Sequence, residues 1–96
     1  MTAESPAQDP RDAALESAIL ALLAARGTGA SISPTEAACA VGGAHPDGWG
    51  PLMQPARRVA VRLMKEGRLV ILRKGRPVDP DDFRGVYRLR LPGEAG

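Results

Sequence analysis

Aromatic residues are scarce in this chain, and so are cysteine and histidine: it has one Trp, one Tyr, one Phe, one Cys and one His in 96 residues. With so few rings, the core falls to Leu, Ile, Val and Ala. Cys39 has no second cysteine to pair with, which excludes an intrachain disulfide and agrees with a reducing compartment. Among alanines it reads as a small hydrophobe. His45, beside Pro46, has no second histidine near it, so it reads as an exposed or loop-bracing residue rather than a ligand or a base. Long apolar runs are missing too. The longest, Ala18 to Ala25, is far short of the roughly 20 residues that a membrane span needs. Met1-Thr2-Ala3-Glu4 is acidic and leads into no apolar segment, so no secretory signal is expected and a cytoplasmic location is. The recognisable catalytic patterns are absent: no Gly-rich phosphate loop, no Cys pair, no His-Glu-x-x-His and no Ser/His/Asp set beyond chance. The chain is expected not to be an enzyme, with no catalytic residue, no cofactor and no metal.

What the chain does have is a concentration of positive charge. The net charge is only +2, from 13 Lys/Arg against 11 Asp/Glu. Between 57 and 76, however, Arg57, Arg58, Arg62, Lys65, Arg68, Arg73, Lys74 and Arg76 face a single acid, Glu66.

The apolar spacing divides the chain into one domain, 9–91, with tails 1–8 and 92–96. Asp9-Pro10-Arg11-Asp12 carries the signals of a helix start, and Leu15, Ile19, Leu22 and Leu23 form the apolar stripe of a first helix to about Arg26. Ala14, Ala18, Ala21 and Ala25 make a small-residue strip beside it, and Gly27 is its stop. Ser31 and Ile32 fit a minimal strand. Ser33-Pro34-Thr35-Glu36 is a capping box for a short second helix that ends at Val41 before Gly42. Glycines and Pro46 argue against regular structure from Gly43 to Gly50. Pro55 is predicted to open the third helix, which ends at Gly67. Its buried stripe is Ala56, Val59, Ala60, Leu63 and Met64, with Arg58, Arg62 and Lys65 on the opposite side and Arg57 on its flank. Leu69 to Leu72 and Val86 to Leu91 read as antiparallel strands, the second with Tyr87, Leu89 and Leu91 inward and Arg88 and Arg90 outward. Asp79-Pro80-Asp81-Asp82, with Val78 and Phe83 placed for a hydrophobic staple, predicts a single helical turn between them. Helix, minimal strand, helix, helix, strand, strand is the order of an α+β winged helix-turn-helix, with three helices before a two- or three-stranded antiparallel hairpin.

Three segments carry a resemblance to a known family: Gly50-Pro51-Leu52-Met53-Gln54-Pro55-Ala56-Arg57-Arg58-Val59; Gly67-Arg68-Leu69; and Lys74-Gly75-Arg76-Pro77-Val78-Asp79-Pro80 leading to Gly85 and Arg88-Leu89-Arg90-Leu91. They resemble a small bacterial family of winged-helix type whose members carry only a domain-of-unknown-function label. The likeness covers most of residues 15–91, and the Lys74 to Pro80 block is its most specific part. Residues 42–50 depart from the pattern, being longer and richer in glycine. The resemblance implies the fold and supplies no activity, ligand or catalytic residue.

In a helix-turn-helix the second helix of the unit enters the major groove while other basic residues hold phosphates. Arg57, Arg58, Arg62 and Lys65 stand where groove and phosphate contacts arise, and Arg73, Lys74 and Arg76 stand where a wing meets the backbone. The expected function is therefore double-stranded DNA binding, as in a transcriptional regulator, with the third helix reading and these seven residues in contact. Arg88 and Arg90 form the exposed side of the hairpin, with phosphate contact as an alternative. On this reading Arg58 and Arg62 are not needed for folding. The plain alternative for the stripe is a solvated helix face. The alternative function is a protein-interaction or adaptor module, which the acids Asp79, Asp81 and Asp82 in the wing favour. Those acids read as caps of a local turn rather than a hard-cation site. A monomer or weak homodimer is expected, with no membrane partner.

Overall fold

A computed structural model of the chain describes residues 10–93. The cap at Asp9 and the tail residues 1–8 and 94–96 lie outside the described residues. Helix α1 runs Pro10–Arg26 and buries Leu15, Ile19 and Leu23 completely. Gly27 ends it at φ 85°, its N–H donating to Leu23 O at 2.9 Å, in the left-handed conformation that glycine adopts without strain. Ala14, Ala21 and Ala25 stay at the surface.

Strand β1, Ser31–Ile32, leads to α2, Pro34–Gly42. The capping box is complete: Ser33 Oγ accepts from the Glu36 N–H at 3.3 Å, and Glu36 Oε2 accepts from the Ser33 N–H at 3.0 Å. The segment from Gly43 to Gly50 expected to be irregular instead holds α3, a single turn at Pro46–Trp49, and runs into a 3-10 turn at Gly50–Leu52 where Pro51 could open a helical turn. His45 begins it, Nδ1 accepting from the Asp47 N–H at 3.1 Å, and Pro46 stands at the first helical position where its missing N–H is harmless. The glycines serve close packing here rather than disorder. A Cβ built on Gly48 would lie 2.1 Å from Gly42 O, and one on Gly42 would lie 2.4 Å from Gly48 O.

Helix α4 spans Met53–Lys65, two residues earlier than expected. Pro55 is its third residue, and the first four N–H groups of a helix have no intrahelical acceptor, so the proline interrupts nothing. Gly67, φ 78°, closes it, with the Arg68 N–H donating to Leu63 O at 2.9 Å.

The remaining strands are β2 (Val70–Arg73), β3 (Arg76–Pro77) and β4 (Arg88–Arg90). The four form one antiparallel sheet in the order β1-β4-β2-β3, with Ile71 opposite Leu89 and Ile32 opposite Leu89 on the other side. Period-2 alternation puts Ile71 and Leu89 into the core and Val70, Leu72, Arg88 and Arg90 on the outer face. The expected helical turn at 79–82 is an Asx turn instead: the Asp81 N–H donates to Asp79 Oδ1 at 2.9 Å and the Asp82 N–H to Asp79 O at 3.0 Å. The unforeseen β3 pairs across the tight turn Lys74-Gly75, whose φ values of 53° and 80° fit a two-residue hairpin of the type that matches strand twist. The architecture is α+β: four α-helices, where three were expected, with an antiparallel sheet, packed around Leu15, Ile19, Leu23, Ile32, Val59, Leu63, Ile71 and Leu89. Phe83 and Tyr87 close the core at the sheet's edge, their rings edge-to-face at 5.2 Å.

Candidate nucleic-acid interface

The apolar face of α4 is as the spacing demands, with Ala56, Val59, Ala60 and Leu63 buried. Its basic side is not a free stripe. Arg58 Nη2 lies 2.8 Å from Oδ1 of Asp12, a carboxylate in the first turn of α1 that is only 8% exposed. Arg62 reaches Glu16 of α1 at 2.5 Å and Glu66 at 3.0 Å. Arg68 meets Glu16 at 3.0 Å and Glu66 at 3.6 Å. Lys65 Nζ is 2.6 Å from Asp81 Oδ1. The two arginine hydrogen bonds, the first in importance from Arg62, hold the Glu16 carboxyl below the ordinary carboxylate range against a smaller opposing effect of burial. Arg57 is engaged differently. Its Nη2 donates to Phe83 O at 2.5 Å and its guanidinium lies 3.8 Å from the centre of the Phe83 ring, which fastens α4 to the loop before β4. The expectation that Arg58 and Arg62 stand clear of the fold is therefore corrected: both tie α4 to α1. The signal was in the sequence, since Asp12 and Glu16 are four residues apart on one helix and Arg58 and Arg62 four apart on another, so that two matched ladders can meet.

The hairpin residues stand otherwise. Arg73 Nε donates to Val86 O at 3.1 Å, a carbonyl that leaves its charge uncompensated. Lys74 and Arg76 flank the hairpin tip and are exposed. Arg84 is exposed in the loop. It was missed because it follows the acids in sequence. Arg88 Nε donates to Ser31 Oγ at 2.7 Å and Nη2 to Ser31 O at 3.1 Å, and Arg90 is half-buried two residues further on, sharing the outer face of the sheet. Among the described residues none of these six forms an ion pair within 4.0 Å. Asp79 and Asp82 remain in the same stretch, Asp79 turned back on its own loop.

Two clefts flank residues 85–88. One, of about 330 Å³, is bounded by Leu72, Arg73, Lys74 and Arg88, and the other, of about 350 Å³, lies beside the start of α2 and of α4. Tyr87 borders both. Burial raises its hydroxyl pKa, with the nearby Arg57 charge partly opposing the effect. Among the described residues no three His, Cys, Asp or Glu side chains gather as a metal site, and no helix is long and apolar enough to cross a membrane. His45 braces α3, and Trp49 packs against the core with Nε1 donating to Ala44 O at 3.2 Å. A family model described as protein of unknown function, DUF3253, matches residues 12–92, and the chain belongs to that family. No curated protein matches it.

Proposed function

We propose that this member of the DUF3253 family is a small winged-helix protein that binds double-stranded DNA in a bacterial cytoplasm, as a monomer or weak homodimer, in the manner of a transcriptional regulator. The element order and the placing of β4 between β1 and β2 support the winged-helix reading. One observation carries the function: Arg73, Lys74, Arg76, Arg84, Arg88 and Arg90 gather on the hairpin and its flanks without ion pairs among the described residues. Lys74 sits at φ 53°, where Asn or Gly costs less, so a lysine at the tip is local strain spent on charge. The wing is then the phosphate grip, and α4 offers the groove Gln54, Val61 and the partly shielded Arg58 and Lys65.

The adaptor reading has its own support, in that Asp12, Glu16, Glu66 and Asp81 neutralise the face of α4 that would read bases. A salt titration separates the two. With three to five phosphates neutralised, log K for random duplex DNA falls with log salt at about 0.9 per phosphate, from micromolar or weaker affinity at physiological salt. The combined K74Q, R76Q and R84Q changes should lower that slope by roughly two to three and leave the melting temperature in place. No binding at low salt, or a flat salt response, refutes DNA binding and leaves the adaptor.

A further inference from the structure

The cleft of about 350 Å³ beside α2 lies away from the hairpin tip and is at the small end of the roughly 300–1,000 Å³ of ligand sites. Its apolar walls are Pro34, Met53 and Val86. Val86 is 84% exposed, an unusual place for a large aliphatic side chain. The polar groups on the rim are Ser33, Thr35, Tyr87 and Arg88, and no carboxylate lines the cleft.

The second, independent observation is the Tyr87 hydroxyl. Tyr87 is 7% exposed, and its Oη has no hydrogen-bond partner among the described residues. A buried tyrosine hydroxyl normally finds one. The other polar groups are also under-used. Thr35 Oγ1 reaches only the weak acceptor Met53 Sδ, at 3.9 Å. Ser33 Oγ accepts from Glu36 and keeps its own proton to donate. Arg88 spends two of its five donors on Ser31. Apolar walls with three hydroxyls, one guanidinium and no carboxylate on the rim are complementary to an apolar body carrying an anionic end. A cationic ligand would meet Arg88 at the rim, with the nearest acid, Glu36, outside the lining and already bonded to the Ser33 N–H.

We propose that this cleft binds a small apolar carboxylate, its ring or chain against Pro34, Met53 and Val86 and its carboxylate accepting from Arg88 and the neighbouring hydroxyls, Tyr87 foremost. The site does not depend on DNA binding.

The test is an amide-resolved NMR titration of the full chain with phenylacetate, with acetate and phenethylamine as the charge-only and opposite-charge controls. Saturable shifts confined to Ser33–Thr35, Met53 and Gly85–Arg88, on the order of millimolar affinity, are expected for phenylacetate alone. Tyr87→Phe deletes only an unpaired hydroxyl, so the free protein stays folded while affinity falls about threefold to tenfold; Thr35→Val serves as the second variant should the first disturb the fold. The proposal is overturned by an absence of saturable shifts, by an equal response to acetate, by shifts centred on Lys74, Arg76 and Arg90, or by affinity unchanged in the variants. No DNA enters the titration, so a negative result leaves the DNA reading standing, and loss of DNA binding leaves this one.

Discussion

Replacing Arg58 and Arg62 together with alanine should destabilise the protein. Asp12 is 8% exposed and its side chain 11%, so its carboxylate is largely withdrawn from water, and Arg58 at 2.8 Å is a principal partner. Taking the guanidinium away leaves an under-compensated buried carboxylate, worth roughly 1–3 kcal/mol. Arg58 is itself 54% exposed, so water enters the gap and the lower half of that range applies. Arg62 contributes less. Its partners Glu16 and Glu66 both keep Arg68, and pairs this open contribute about 0.2–1 kcal/mol. The sum is roughly 1–3 kcal/mol, which for a domain of this size lowers the melting temperature by on the order of 10 °C. Thermal unfolding followed by far-UV circular dichroism, with Asp12→Asn completing a double-mutant cycle against Arg58→Ala, measures both the loss and its source. A melting temperature within about 2 °C of the parent, or a cycle with no coupling between Asp12 and Arg58, refutes the claim that these arginines are structural. It follows that this double change is a poor probe of DNA binding, because it weakens the scaffold that presents the hairpin.

Leu63→Ala empties the centre of the buried α4 face and should cost about 2–5 kcal/mol in urea denaturation; a loss under about 1 kcal/mol would mean that the core lies elsewhere. Gly48→Ala sets about 1 kcal/mol of helix propensity against an overpacked Cβ 2.1 Å from Gly42 O, and because backbone cannot rotate away as a side chain would, a net loss of roughly 1–2 kcal/mol is expected. A stabilised G48A would show that α2 and α3 do not meet closely. Glu16 has a folded pKa below its unfolded one, so the stability it supplies is present above the unfolded value and lost as pH falls through the folded value. Stability should therefore decline from about pH 5 downward, and Glu16→Gln should flatten that decline; an unchanged acid limb in the variant counts against the Arg62 and Arg68 pairing.

Local signals were legible wherever one residue's chemistry settles one residue's geometry. The Ser33/Glu36 box, the Gly27 and Gly67 stops, the 3.6-residue stripes of α1 and α4 and the alternation of Tyr87, Arg88, Leu89 and Arg90 all follow from capping, glycine's freedom at positive φ and side-chain period. What escaped depended on partners far away in sequence. The stretch from Gly43 to Gly50 reads as irregular by composition, yet Gly48 within it and Gly42 at the end of α2 let α2 and α3 touch, which no window of sequence displays. Pro55 read as a start because a proline usually breaks a helix, and the first turn is the one place where it does not. β3 has two residues, one of them proline, and is called into being by its pairing with Leu72 and Arg73.

The candidate site shows the same division more sharply. Charge counted along the chain put the functional cations on α4 and the hairpin alike, because 57–76 is dense in arginine and lysine and poor in acid. Charge counted in space separates the two groups. Of the five cations from Arg57 to Arg68, all but Arg57 pair with one of four carboxylates, two of them delivered by α1 from more than forty residues away. A phosphate approaching α4 would meet Asp12, Glu16, Glu66 and Asp81 within the screening length of about 8–10 Å, and would have to compete for guanidinium groups already hydrogen-bonded. Among the described residues the six cations from Arg73 to Arg90 have no such competitors within pairing distance, and they include Lys74 in the hairpin turn and Arg76 just after it. Sequence density of charge and availability of charge are different quantities, and only the second bears on a partner. On the DNA-binding proposal the contact surface begins at the hairpin, with α4 held against α1 by packing and by the ion pairs of Arg58 and Arg62.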